Sequence, residues 1–232
     1  MEKITVSKIK LSKLQGHKIS MLTAYDYPFA KILDEAGVDI VLTGDTMGNV
    51  VLGYKNTRPV TMEDMVHHTK AAARGVKRAL LVSDIPYRSV SVKNAKCLIK
   101  AGARAVKIEG LKGVKTIVQA GIPVMGHLGY LPQTMVKPKV KKSAKLVEQA
   151  KTLEAAGVFA IVLEMVEPRL ARLITKAVKV PTIGIGSGPD CDGRVLVSYD
   201  LLGLSDWQPG FAKPKVNLRK IALRAIKEWM SL

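Results

Sequence analysis

Cysteine is scarce in this chain: 232 residues contain two, Cys97 and Cys191, far apart and in no metal-ligand spacing. That argues against a disulfide framework or a thiolate metal site, and reduced thiols in a cytoplasmic protein are the expectation. Long apolar runs are missing as well. None reaches the roughly 18 residues of a membrane span, so no transmembrane helix is expected. Met1 to Lys18 is polar and basic and lacks the apolar stretch of a secretory signal, so none is expected there. Acids are few, 19 Asp and Glu against 37 Lys and Arg, giving a formal charge of +18. Such a surplus is compatible with binding nucleic acid or an anionic surface. The densest cluster is Lys137, Lys139, Lys141, Lys142 and Lys145, and no aromatic residues alternate with it as a stacking platform requires. A lysine-rich solvated surface is the favoured reading, and nucleic acid is not the expected partner. The same positive field suits an anionic small-molecule substrate.

What the chain does have is apolar bulk and a recurring unit. About 47% of its residues are hydrophobic, which rules out disorder as a whole. The length fits one α/β barrel or two smaller domains, and the absence of a linker or composition shift favours a single domain over 1–232. The recurring unit is a helix ending in glycine, then a short apolar strand, then one acid or histidine. Its copies are Ala36-Gly37 to Asp45, Arg74-Gly75 to Asp84, Ala101-Gly102 to Glu109, Ala120-Gly121 to His127 and Ala156-Gly157 to Glu164. Glycine after a helix supplies a left-handed cap. An unbroken apolar run suits a strand buried on both faces of a parallel sheet. The residue just past such a strand lies at the carboxyl rim, where α/β folds place their chemistry.

The periodicity predicts strands at Ile19–Thr23, Ile40–Thr43, Ala79–Ser83, Ala105–Ile108, Pro123–Gly126, Phe159–Leu163 and Thr182–Ile185, with a last one near Leu201–Leu204. Between them, helices are predicted over Phe29–Ala36, from a capping box at Thr61 to Arg74, over Val92–Lys100, Val114–Gln119 and Ser143–Ala156, and from Pro168. Gly44 to Arg58 reads as a rim loop, and Leu218–Met230 as a closing helix. Strict alternation with short connections predicts right-handed crossovers and a closed α/β (β/α)8 barrel with shortened helices, ahead of an open doubly wound sheet.

Asp45 and Asp84 each end an apolar strand, and the two strands are consecutive. Neighbouring strands lie about 4.8 Å apart, so both carboxylates can reach one ion. Two hard oxygens with room for water and substrate suit Mg²⁺; the alternative is a pair of helix N-caps. Lys107 and Glu109 share one side of their strand. If that side is the interior, Lys107 needs an anionic partner, either a substrate carboxylate or a neighbouring acid. His127 sits between Gly126 and Gly129, which let backbone or ligand come close. Glu164 follows four aliphatic residues, a setting that suits a general base, the alternative being a pair with a surface lysine. The Gly184-Ile-Gly-Ser-Gly188 run offers backbone N–H groups to an anion. His67 and His68 sit on one helix and cannot both face one site.

Several stretches, in order, resemble the ketopantoate hydroxymethyltransferase family. They are Thr23-Ala-Tyr-Asp26, Gly44-Asp-Thr-Met-Gly48, Arg58-Pro-Val-Thr61, His67-His-Thr-Lys70, Val106-Lys-Ile-Glu-Gly110, Gly126-His-Leu-Gly129, Gly184-Ile-Gly-Ser-Gly188, Asp192-Gly-Arg-Val-Leu-Val197 and Asp200-Leu-Leu-Gly203. The resemblance implies a TIM barrel of the phosphoenolpyruvate/pyruvate type, often in a homo-oligomer such as a decamer. It implies Mg²⁺ and methylene transfer from 5,10-methylenetetrahydrofolate to 3-methyl-2-oxobutanoate in pantothenate and coenzyme A synthesis. By the same resemblance Asp45 and Asp84 hold the metal and Glu109 holds metal-bound water. Lys107 grips the keto acid and His127 orients it. Thr46 hydrogen-bonds the substrate where the family usually has serine, and Glu164 removes the proton. One departure is the segment Met135 to Lys142, shorter and richer in lysine than the family's glycine-rich one. Another Mg²⁺-dependent 2-oxo acid aldolase or lyase, and a non-catalytic basic RNA-binding barrel, are the competing expectations.

Overall fold

The computed structural model describes residues 2–135, 137–205 and 208–231. Eight strands, β1 Ile19–Thr23, β2 Ile40–Thr43, β3 Leu80–Asp84, β4 Ala105–Glu109, β5 Val124–Gly129, β6 Ala160–Glu164, β7 Thr182–Ile185 and β8 Gly193–Leu196, form a closed barrel in sequence order. Each consecutive strand pair from β1–β2 to β7–β8 is parallel. The helices are α1 Val6–Leu14, α2 Tyr27–Glu35, α3 Met47–Val50, α4 Met62–Gly75, α5 Val92–Lys100, α6 Val114–Gln119, α7 Lys145–Ala155, α8 Pro168–Ala177, α9 Ser198–Leu201 and α10 Leu218–Met230. The chain divides into two compact units, 1–195 and 196–232.

In the first unit the two-residue period of the strands sorts side chains between two layers. Ile40, Leu42, Leu80, Val82, Ala160 and Val162 point into the barrel with Ile19, Met21, Met125 and Ile183. Val41 and Leu81 point outward and pack with Ala30, Leu33 and Ala72 of the surrounding helices. Helix starts follow the capping logic: Thr61 accepts from Asp64 N while the Asp64 carboxylate accepts from Thr61 N, and Asp26 and Ser91 cap α2 and α5.

Four expectations need correction. The last strand is Gly193–Leu196, and Leu201 belongs instead to the one-turn helix α9. The Asp192 carboxylate accepts from Lys13 Nζ and Thr182 N and anchors the strand's start. Helix α1 was not foreseen, because its apolar residues are spread around the axis: Ile9 is buried while Leu14 is 82% exposed. The stretch read as a rim loop contains α3. Gly37, Gly102, Gly121 and Gly157 do adopt positive φ after their helices, but Gly75 does not. A Cβ at Gly75 would lie 2.6 Å from Tyr27 O and 2.8 Å from Lys31 N, so this glycine serves the close approach of α4 to α2.

In the second unit, α9 and α10 are joined by Lys215 N→Leu201 O and Leu218 N→Leu202 O bonds. The side chain of Asn217 caps α10. The apolar face foreseen for α10 exists, but none of its residues is buried, and Trp229 is 74% exposed.

Candidate active site

Each of β3, β4, β5 and β6 carries its inward face one step past the apolar layer and there sets down an ionisable group. Leu80 and Val82 lead to Asp84, Ala105 to Lys107 and Glu109, Met125 to His127, and Ala160 and Val162 to Glu164. The register places Asp84 beside Lys107, Glu109 beside His127, and Gly129 beside Glu164. Asp45 enters from the turn after β2. There Gly44 leaves room for a neighbouring carboxylate: a Cβ on it would stand 3.5 Å from Asp84 Oδ2.

These side chains touch. Asp45 N donates to Asp84 Oδ2 at 3.1 Å, and Lys107 Nζ stands 2.9 Å from Asp84 Oδ1. Lys107 Nζ is also 3.4 Å from His127 Nδ1, and His127 Nε2 is 3.2 Å from Glu164 Oε2. Glu109 Oε1 lies 3.8 Å from His127 Nδ1. The inward lysine is thus partnered by an acid of the site rather than by a surface group. Three of these contacts, Lys107 with Asp84 and His127 with Glu109 and Glu164, are ion-pair distances without hydrogen-bond alignment. Among the described residues Asp84 Oδ1 and His127 Nε2 have no aligned hydrogen-bond partner, their neighbours Lys107 and Glu164 standing at ion-pair distance.

Burial and like charge set the protonation. Burial, reinforced by the Asp84 charge, pushes the Asp45 carboxyl up to about 7. Burial pushes Glu109 up to about 9, with Lys107 opposing and Asp45 and Asp84 adding to the rise, so Glu109 keeps its proton at neutral pH. Burial by itself would lower Lys107, but Asp84, Asp45 and Glu109 outweigh it and hold the ammonium charged. His127 is lowered by burial and then by Lys107, against the pull of Glu164, and is a neutral imidazole. With Lys107 donating to Nδ1, the ring proton belongs on Nε2, on the side of Glu164.

The remaining expected residues fall as follows. Thr46 Oγ1 shares a 2.8 Å hydrogen bond with Tyr25 OH, which aims the hydroxyl. Glu164 is not wrapped in aliphatic groups: its side chain is 18% exposed and faces His127. Gly126 and Gly129 make room for neighbours rather than for a ligand, a Cβ on Gly126 lying 2.6 Å from Leu153 Cδ1. At Gly129, where φ is 102°, a Cβ would run into the Glu164 carbonyl. In the glycine run after β7, Ser187 ties two loops together, donating to Leu163 O and accepting from Val166 N. His68 Nδ1 meets Tyr25 O at 2.7 Å while His67 is exposed.

Sequence reasoning missed Gln133 and Arg58. Gln133, 6% exposed, donates from Nε2 to Asp45 Oδ2 at 2.7 Å, and its backbone C=O accepts from Arg58 Nε at 3.1 Å. With Gln133 and Asp45 88 positions apart, no local pattern could have joined them. Arg58 stood inside a quoted motif but without a role. The lysine-rich segment, whose Val136 lies outside the described residues, is hitched to the rim by Lys141 N→Met165 O and Glu167 N→Lys141 O bonds of 2.7 and 2.9 Å.

Among the described residues no three His, Cys, Asp or Glu side chains converge as a metal cluster. A cation at Asp45 and Asp84 would therefore complete its shell with water and substrate oxygens, which is the habit of Mg²⁺. Two buried carboxylates held side by side, with Asp45 N on Asp84 Oδ2 at 3.1 Å, are a hard-oxygen donor set that fits such an ion.

A closed parallel barrel whose carboxyl rim gathers four acids, a lysine and a neutral histidine defines a (β/α)8 enzyme of acid–base chemistry. The solved structure of a phosphonopyruvate hydrolase complex with oxalate and Mg²⁺ shares the fold: TM-score 0.68, 15% identity, 100% of this chain and 86% of that one. So does 2,3-dimethylmalate lyase, described as a PEP mutase/isocitrate lyase superfamily member: TM-score 0.65, 14% identity, 100% and 87% coverage. The chain belongs to the ketopantoate hydroxymethyltransferase family, whose model matches residues 3–231. It is 51% identical to the 3-methyl-2-oxobutanoate hydroxymethyltransferase of Acetivibrio thermocellus, over 99% of this chain and 88% of that protein.

Proposed function

We propose that this chain transfers a hydroxymethyl group from 5,10-methylenetetrahydrofolate to 3-methyl-2-oxobutanoate, giving ketopantoate. The observation that carries the reading is a continuous polar track from the carboxylates to the base. Asp84 to Lys107, Lys107 to His127 and His127 to Glu164 stand at 2.9, 3.4 and 3.2 Å. Mg²⁺ held by Asp45 and Asp84 supplies Lewis-acid polarisation of the keto acid, which makes the neighbouring C–H acidic.

The side chains then divide the work. Lys107 keeps its charge beside Asp84 and pairs with the keto-acid carboxylate. Glu164, at the open edge of the track, takes the proton from the carbon next to the ketone. Glu109 keeps its own proton at neutral pH and so does not compete as base; it orients water at the cation. His127 orients the substrate, its Nε2 proton shared between Glu164 at 3.2 Å and a substrate oxygen, and as a neutral donor it gives Glu164 no fixed counter-charge. Thr46, aimed by Tyr25, hydrogen-bonds the substrate. Water adds to the folate-borne methylene, both of its C–N bonds break with proton transfer to the nitrogens, and tetrahydrofolate leaves. The deprotonated carbon then adds to the released formaldehyde, whose oxygen takes up a proton and becomes the hydroxyl group.

In this reading the chain is a cytoplasmic enzyme of pantothenate and coenzyme A synthesis and assembles with copies of itself. No helix among the described residues is long and apolar enough to cross a membrane. Deuterium exchange tests the function. With Mg²⁺ and 3-methyl-2-oxobutanoate in D₂O, the substrate C–H is expected to exchange, and methylenetetrahydrofolate then yields ketopantoate. Exchange without product would move the assignment to another 2-oxo acid enzyme, and no exchange would overturn it.

A further inference from the structure

We propose that Gln133 is a positioning residue for the cation site: an uncharged clamp on Asp45 that Arg58 holds in place. The inference rests on the reading of Asp45 as a cation ligand.

A buried carboxylate needs donors, and the two acids obtain them differently. Asp84 has the Lys107 ammonium at 2.9 Å, whereas Asp45 has the Gln133 amide at 2.7 Å. The difference matters for a divalent ion. A second ammonium would satisfy Asp45 equally well but would repel the cation; an amide fixes the carboxylate without cancelling its charge. The orientation of the amide is unambiguous. Nε2 donates both to Asp45 Oδ2 and to Ile85 O, at 2.7 and 3.0 Å, and the flipped amide would set its oxygen against two acceptors.

The backbone around the amide is bolted as firmly. Gln133 N donates to Glu109 Oε2 at 3.2 Å. Arg58 donates from Nε to Gln133 O at 3.1 Å and from Nη2 to Thr134 O at 3.2 Å. Residues 131–135 form a tight turn, closed by Thr134 N→Leu131 O and Met135 N→Leu131 O bonds. One residue thereby ties the turn after β2, the end of β3 and the end of β4 together. The clamp can act only if Arg58, itself exposed, keeps the turn down.

Calorimetric titration of Mg²⁺ into the full chain tests this, with melting temperatures measured with and without Mg²⁺. Gln133→Met keeps the volume and removes the donors. It is expected to weaken Mg²⁺ binding about 10–100-fold, the usual cost of losing a group that orients a ligand. Its melting temperature without Mg²⁺ should change far less than the increment Mg²⁺ gives the native protein. Arg58→Ala leaves the amide intact and should weaken Mg²⁺ binding in the same direction. The double variant should be little worse than Gln133→Met alone, because the two act as one unit. Mg²⁺ affinity of Gln133→Met within twofold of native would overturn the clamp, and additive losses in the double variant would overturn the part given to Arg58. A native protein that takes up no Mg²⁺ would instead bring down the cation reading on which the clamp rests.

Discussion

Toward the amino ends of the strands the barrel interior holds Ile19, Met21, Ile40, Leu80, Ala105, Met125, Ala160 and Ile183. Two to four residues further on, the same faces of β3 to β6 carry Asp84, Lys107, Glu109, His127 and Glu164. Nothing separates the two ends but the strand period. The apolar half is held together by area removed from water, at about 25 cal/mol per Å². The polar half is held by mutual neutralisation, in which each group is tolerable only because of the next. The comparison also inverts the chemistry of the chain as a whole. A protein of net charge +18 encloses a site where four acids face one lysine and a neutral histidine. The overall positive field draws anions, while the rim itself calls for a cation.

Four measurements sharpen or break that contrast. The largest effect is expected from Asp84→Ala, which removes a proposed cation ligand and leaves Lys107 without its nearest counter-charge. Mg²⁺-dependent exchange should disappear, with a stability loss of ~3–5 kcal/mol by denaturant unfolding; exchange at the native rate would refute the metal assignment. Next comes Glu164→Gln, expected to slow exchange about 10²–10⁴-fold while keto-acid binding persists. Unchanged turnover would place the base elsewhere. Third, Leu80→Ala at the apolar end should cost ~2–5 kcal/mol of stability and leave Mg²⁺ affinity alone. A matching loss of Mg²⁺ affinity would mean that the two ends are not separable.

The smallest effect is a pH dependence. Asp45 and Glu109 bind their protons more tightly in the folded protein, so their contribution to stability is complete below the unfolded values of 3.8 and 4.5. It is lost as pH rises through about 7 and about 9. His127, lowered from 6.5, contributes the other way, losing stability as pH falls below that value. The melting-temperature advantage of Asp45→Asn over native protein, measured without Mg²⁺, should therefore grow between pH 5 and pH 8. Because the cation displaces the Asp45 proton, the increment from Mg²⁺ in native protein should be larger at pH 8 than at pH 6. A flat difference would mean that Asp45 ionises freely.

Much of this was legible in the sequence because parallel-barrel strands write their geometry locally. An apolar run followed by one acid or histidine is enough to place Asp84, Glu109, His127 and Glu164 at the rim. β8 was not legible, since its pairings with β7, Ile183 with Gly193 and Gly184 with Arg194, depend on a neighbour and not on its own pattern. Its glycine is pressed against the Ile19 backbone, a contact that no hydropathy signal records. Nor was the protonation of the site. The shifts of Asp45, Lys107 and Glu109 arise among groups at the ends of β2, β3 and β4, Asp84 included, and that follows only from distances.

Gly129 never faces the chemistry, yet it answers to it. With positive φ and the Glu164 carbonyl against its α-carbon, it admits only hydrogen as a side chain, and any larger substituent would dislodge the strand end that carries Glu164, the proposed base. Descendants of this gene that keep the reaction must inherit the smallest amino acid at that codon. Those released from the reaction are free to lose it.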